Sequence, residues 1–220
     1  MRRIDTETDI AEGLAALVRL DPRLEAVVAR SGVVPLRRVP HGLSALVSIV
    51  VSQQVSRASA DAILGRFATL VDLDDAAMLR AAGEEVFRTA GLSRPKQATL
   101  LALARAVAED GLDLDGLAAA SADEARAALT TVPGIGPWTA EVYLLAAAGH
   151  PDIFPAGDVA LQGAVGHALG IDPRPTAKAL AIMAESWAPW RSVAARLFWA
   201  YWRTMRGREA APALQAEKNR

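Results

Sequence analysis

Pro133-Gly134-Ile135-Gly136-Pro137 is the stretch of this 220-residue chain best suited to holding a charged ligand. Two glycines flank one apolar residue, and a proline stands on each side. Glycine lets the backbone turn sharply and leaves its N–H groups bare. Gly136 followed by Pro137 reads as an N-cap and a first-turn proline. A helix beginning at Trp138 then offers uncapped amides at its positive dipole end, which suits a phosphate. The same string is also what a plain αα-hairpin requires, and spacing alone does not separate the two readings. A second candidate is Asp158, which follows Gly157 and precedes the helical Val159-Ala160-Leu161-Gln162. A carboxylate there caps a helix and can also face a developing positive charge; the two roles coexist. His41, His150 and His167 have no partner by spacing and read as surface or cap residues. Cysteine is absent, which excludes disulfides, thiol catalysis and cysteine-ligated clusters.

The elements that must position these residues are helical. Ser121 followed three residues later by Glu124 is a capping-box signature that opens a helix running up to the hairpin. Trp138 to Ala148 continues beyond it. Upstream, Thr6–Leu20 is amphipathic, with Ile10, Leu14, Leu17 and Val18 at helical spacing. Asp21-Pro22 ends it and leads into a second helix that stops at Ser31-Gly32. Leu43 to Val51 is apolar on nearly every face and reads as a buried helix. Ser52-Gln53-Gln54-Val55-Ser56 ends it, and Ser56 caps the next helix, Arg57–Leu70. Short helices follow near 74–82 and 84–90, then Gly91-Leu92-Ser93-Arg94-Pro95-Lys96 opens a long helix to about Glu109. Pro175–Trp187 and Arg191–Arg206 close the chain, with 207–220 as a frayed tail. No strand pattern, solenoid repeat or low-complexity tract is present beyond alanine richness.

Composition sets the outer bounds. Hydrophobic residues are 52% of the chain, much of it Ala and Leu, which favours helix and suffices for a substantial core. No uninterrupted apolar run approaches a membrane span. The Arg-Arg-Ile-Asp-Thr-Glu start has no apolar signal region, so a cytoplasmic protein is expected, nucleoid-associated if bacterial. The net charge of −1 is unusual for a nucleic-acid binder. Its distribution is uneven: between Ser186 and Arg208 every charge is basic, namely Arg191, Arg196, Arg203, Arg206 and Arg208. That is either a DNA-steering face or a solvated helix face.

Val132-Pro133-Gly134-Ile135-Gly136-Pro137-Trp138-Thr139-Ala140 resembles the helix-hairpin-helix of DNA-repair glycosylases. Phe154-Pro155-Ala156-Gly157-Asp158 matches the segment that carries the invariant aspartate of that superfamily. Trp187-Ala188-Pro189-Trp190-Arg191-Ser192 and Trp199 resemble the C-terminal signature of its alkylpurine branch, the DNA-3-methyladenine glycosylase II type. The resemblance runs from about Ser44 to Trp202. It implies an all-α, two-lobed helical bundle with an active-site cleft between lobes, in the single-module form without an N-terminal β domain. Approximate lobes are 43–130 and 1–42 plus 131–220.

The resemblance also implies roles. The reaction is hydrolysis of the N-glycosidic bond of an alkylated purine (3-methyladenine, 7-methylguanine or an etheno adduct) flipped out of double-stranded DNA. Asp158 is the catalytic carboxylate. Trp138 and Trp199 line the base pocket, with Tyr143 added because it lies about a turn from Trp138; Trp187 and Trp190 read as core. Amides of Gly134, Gly136 and Thr139 face a DNA phosphate. Gln53, Gln54, Val55 and Ser56 enter the space the flipped nucleotide leaves, and Arg94 and Lys96 contact phosphate. Arg94 stands where bacterial relatives place a wedge leucine, a departure that favours the Val55 loop as the plug. Trp138 occupies the position of the Schiff-base lysine of the bifunctional branch, so a monofunctional enzyme is expected. No cofactor is required; the carbonyls of Thr130, Val132 and Ile135 are expected to hold Na⁺ or K⁺, and no iron–sulfur cluster can form. A monomer is expected. The alternative from another class is a non-enzymatic helix-hairpin-helix protein that recognises damage without cutting.

Overall fold

A computed structural model of the chain describes residues 3–117 and 119–207. It is all-α: thirteen α-helices and one 3-10 turn, with no strand among the described residues. None of these helices is long and apolar enough to cross a membrane. Two compact units emerge. One takes Arg38–Ala148; the other joins the described residues up to Arg37 to those from Gly149 on. The chain therefore divides at 37/38 and 148/149, not at 42/43 and 130/131. The reason is packing: the helix after the hairpin lies against helices of the central unit.

The unit built from both chain segments contains α1 (Glu7–Leu20), α2 (Leu24–Ser31), α11 (Val159–Leu169), α12 (Ala177–Ala184), the 3-10 turn Glu185–Trp187 and α13 (Arg191–Arg206). Thr6 opens α1 with a full capping box to Asp9. Its partner helix α13 buries Val193, Leu197, Phe198 and Tyr201, residues three and four apart on one stripe. It packs on α1, α2 and α11. Gly13 is what lets α1 approach: a Cβ there would lie 2.7 Å from Val193 Cγ2. Trp187 is fully buried between Phe154 and Phe198, with ring centroids at 5.3 and 5.2 Å. Its Nε1–H donates to Asp21 Oδ2 at 3.0 Å. Trp187 is thus core, as expected; Trp190 is half-buried over Gly13.

The central unit contains α3 (Leu43–Ser52), α4 (Arg57–Leu70), α5 (Ala76–Ala81), α6 (Glu84–Ala90), α7 (Arg94–Ala108), α8 (Leu114–Leu117), α9 (Ala122–Thr130) and α10 (Pro137–Ala146). Helix α3 is buried along most of its length, consistent with its unbroken apolar sequence. It touches α4, α7 and α10. The one-turn α8 had no sequence signal.

Candidate functional site

The hairpin forms as its glycines require. Helix α9 is closed at its start by the Ser121–Glu124 capping box, and the chain turns through residues 131–136. Gly134 sits at φ +88°, and a Cβ there would lie 2.0 Å from Thr99 Oγ1 on α7. Both facts demand glycine. Gly136 is different. It is the N-cap of α10, has ordinary φ, and nothing lies within 4 Å of where its Cβ would be. Gly136 has no side chain with which to cap this helix, and the space beside it at the start of α10 is open. Val132 O already accepts the Ile135 amide at 3.0 Å, which leaves that carbonyl one lone pair for a cation.

Trp138 is half-exposed in the first turn of α10, while Thr139 beside it is 3% exposed. Tyr143, a turn further on, differs from expectation. It is fully buried, and its hydroxyl meets His41 Nε2 at 3.1 Å and accepts from the Gly42 amide. Burial holds its phenol well above the ordinary range. With no face open, Tyr143 is a buttress for the His41 segment, not a pocket wall. Trp199, in the other unit, is 5% exposed, and its Nε1–H is buried without an acceptor among the described residues.

Asp158 is the N-cap of α11, accepting the Leu161 amide on Oδ1 at 2.9 Å, and is 9% exposed. Its approach loop is fastened at several points. Ser192 Oγ donates to His150 O and accepts from the Ile153 amide at 3.0 Å. Arg191 holds Asp152 through two bonds of 2.6 and 2.8 Å. Gln162 Nε2 donates to Ala156 O at 3.0 Å. Sequence reasoning assigned Ser192 and Gln162 no role and read Arg191 only as one of a basic series, although Arg191 and Ser192 lie in a motif that it marks. A groove of about 800 Å³ in this unit is lined from Val159 along α11 to Arg174 and Trp202; Asp158 is not among its walls.

The loop after α3 also departs from expectation. Gln54 stands at φ +57°, and Gln54, Val55 and Ser56 are exposed. Ser56 caps α4 through the Ser59 amide. Gln53, however, turns inward: its Nε2 donates to Thr139 Oγ1 at 2.8 Å. Lys96 is not a surface phosphate contact. Its Nζ donates to Val51 O and Gln53 O, both at 2.8 Å, and burial lowers its pKa. Arg94 remains open, its side chain 88% exposed with only a 3.4 Å contact to Glu84.

The histidines and arginines correct two further expectations. His150 is 2% exposed, and His167 Nδ1 lies 2.8 Å from Tyr201 Oη. His41 joins Tyr143 and Asp115. His150 is thus no surface residue and His41 is half-buried, while His167 is exposed, as expected. The basic series is not one solvent face either. Arg191 is bound to Asp152, buried Arg196 donates to Leu36 O, and Arg206 lies 4.4 Å over the Trp202 ring. Arg208 lies outside the described residues.

Comparison with known proteins places this geometry. The family described as HhH-GPD superfamily base excision DNA repair protein matches residues 47–191. A probable bifunctional transcriptional activator/DNA repair enzyme AlkA of Mycobacterium tuberculosis is 32% identical over 211 residues, 90% of this chain. The chain spans 41% of that relative's length. Among solved structures, a DNA-3-methyladenine glycosidase of Bacillus halodurans is 30% identical, with TM-score 0.78 and 94% of each chain covered. A 3-methyladenine DNA glycosylase of Schizosaccharomyces pombe, in complex with abasic DNA, is 26% identical, with TM-score 0.76, covering 87% of this chain and 95% of that one.

Proposed function

The chain belongs to the HhH-GPD superfamily of base excision DNA repair proteins, and from that premise we propose that it is a monofunctional DNA glycosylase for alkylated purines. The observation that carries the reading is Asp158: a carboxylate fixed by the Leu161 amide at the head of α11, at the end of a loop pinned to α13. Bond breaking at the sugar builds up oxocarbenium character, and a preoriented carboxylate stabilises it without reorganising. The C1′–N bond breaks, its electron pair stays with the departing base, and water bonds to C1′ as it releases a proton. An N3- or N7-alkylated purine is already cationic and leaves neutral, so no strong general acid is needed.

The other roles follow from what each residue presents. Half-exposed Trp138 offers an indole face to a cationic purine. Trp199, in the other unit, is assigned to base binding, supported by its unused N–H donor. The amides of Gly134, Gly136 and Thr139 are assigned to a DNA phosphate, and exposed Arg94 to a separate, peripheral one. A Na⁺ or K⁺ ion is assigned to the carbonyls of Thr130, Val132 and Ile135; replacing K⁺ by Li⁺ should then weaken duplex binding. Gln54 and Val55 are assigned to the vacated base position. Having Trp138 instead of a lysine leaves no amine there for a Schiff base. The substrate is damaged double-stranded DNA, which also sets where in the cell the protein acts, and a monomer is sufficient for it.

The test is excision from methylated duplex DNA, read as alkali-labile breaks. Asp158→Asn should lower excision by at least a hundredfold while duplex binding stays measurable. Near-normal excision by that variant would remove Asp158 from the chemistry. Borohydride trapping of a covalent adduct at Trp138 would end the monofunctional assignment. A wild-type chain that binds but never cuts would support the binding-only alternative.

A further inference from the structure

We propose that Lys96 is a positioning residue that holds the Gln54–Val55 tip in the shape that enters damaged DNA; this rests on the glycosylase reading above. The two carbonyls Lys96 grips belong to the last turn and C-cap of α3. Helix ends leave such carbonyls without intrahelical partners, and a cation there also meets the negative end of the helix dipole. One ammonium therefore fixes where α3 stops and how the next residues emerge. The very next residue, Gln54, holds a left-handed conformation at φ +57°. Non-glycine residues keep such a conformation only where surroundings impose it. Beyond it Val55 stands 38% exposed.

The clamp also connects the tip to the hairpin, all within the central unit. Gln53, whose carbonyl Lys96 holds, donates its amide to Thr139 in the first turn of α10. Thr99, three residues from Lys96 and on the same face of α7, fills the space over Gly134. Helix α7 thus touches the plug loop with one side chain and the hairpin bend with the next. The distance between the phosphate-binding amides and the loop tip is set by α7, not by the loop itself. Burial lowers the Lys96 pKa, which fits a side chain turned into the protein and not out to solvent.

The experiment compares binding of the full chain to a duplex with a tetrahydrofuran abasic analogue and to the same duplex undamaged. Lys96→Met keeps the length and removes the donors. It should reduce the preference for the abasic duplex about tenfold, as expected for loss of two charge-assisted bonds, with undamaged-duplex affinity within about twofold. Lys96→Arg, which keeps charge and donors, should recover most of the preference. In a Val55→Gly background, Lys96→Met should add nothing, because the tip it positions is gone. If Lys96→Met fails to fold, Lys96→Gln, which removes the charge and cannot bridge both carbonyls, decides; it should also lose preference. A folded Lys96→Met, or Lys96→Gln, with wild-type preference overturns the inference alone. A wild type that shows no preference overturns the glycosylase reading and the inference with it.

Discussion

Two glycines two positions apart do different work in the hairpin. Gly134 is demanded by the fold, through its φ of +88° and its contact with Thr99. Gly136 is demanded by nothing in the protein, since a Cβ there meets open space. Gly134→Ala should therefore cost about 2 kcal/mol or more of stability, seen as a lower melting temperature. Gly136→Ala should stay within about 1 kcal/mol of wild type, yet, on the phosphate-binding role proposed for it, bind duplex DNA several-fold more weakly. Equal effects in both assays would mean that the open space at Gly136 has no partner. Gly157, before Asp158, is likewise open. The glycine pattern was legible in the sequence. Which glycine serves the fold was not, because Thr99 lies 35 positions away on another helix.

At the scale of elements, α9 and α10 are joined by more than the hairpin. Glu141 on α10, its side chain 14% exposed, lies 3.6 Å from Arg126 on α9. Burial pushes its carboxyl up to about 7, with Arg126 opposing the rise. An acid raised in the fold favours folding most when protonated. Its stability contribution is complete below about 4.5 and is lost as pH climbs through about 7. Glu141→Gln should therefore stabilise the protein at pH 8, by about 2–3 kcal/mol at most, and do little at pH 5. Denaturant melts at the two pH values check this; a benefit equal at both would dissociate it from the charge. The capping box at Ser121, the caps at Ser56 and Asp158 and the Arg191–Arg206 span were all readable, because each is a local rule. Lys96 was misread as a DNA contact because a lysine near a helix start looks the same whether its ammonium faces water or two carbonyls.

Across the whole molecule, the unit that holds Asp158 depends on both the start and the end of the described chain. Asp21, at the end of α1, receives Trp187 Nε1–H and is gripped by Arg23. The Arg23 hydrogen bonds, with Trp187, hold its carboxyl below the usual 3.8. A lowered acid stabilises the fold above its unfolded pKa and loses that contribution as pH falls through the lowered value. Asp21→Asn should cost about 1–3 kcal/mol at pH 7 and progressively less below about pH 4; thermal melts across that range test it. By itself the sequence determined the helical class, most helix boundaries, the hairpin and the cap role of Asp158, because caps, glycine bends and apolar periodicity act over a few residues. Only the tertiary structure decided that α10 joins the central unit, that Tyr143 is closed off by His41, that Arg191 and Arg196 serve the interior, and that Lys96 braces α3. Each of those outcomes depends on which carbonyl, ring or carboxylate a distant segment brings within bonding range, and no local spacing encodes that.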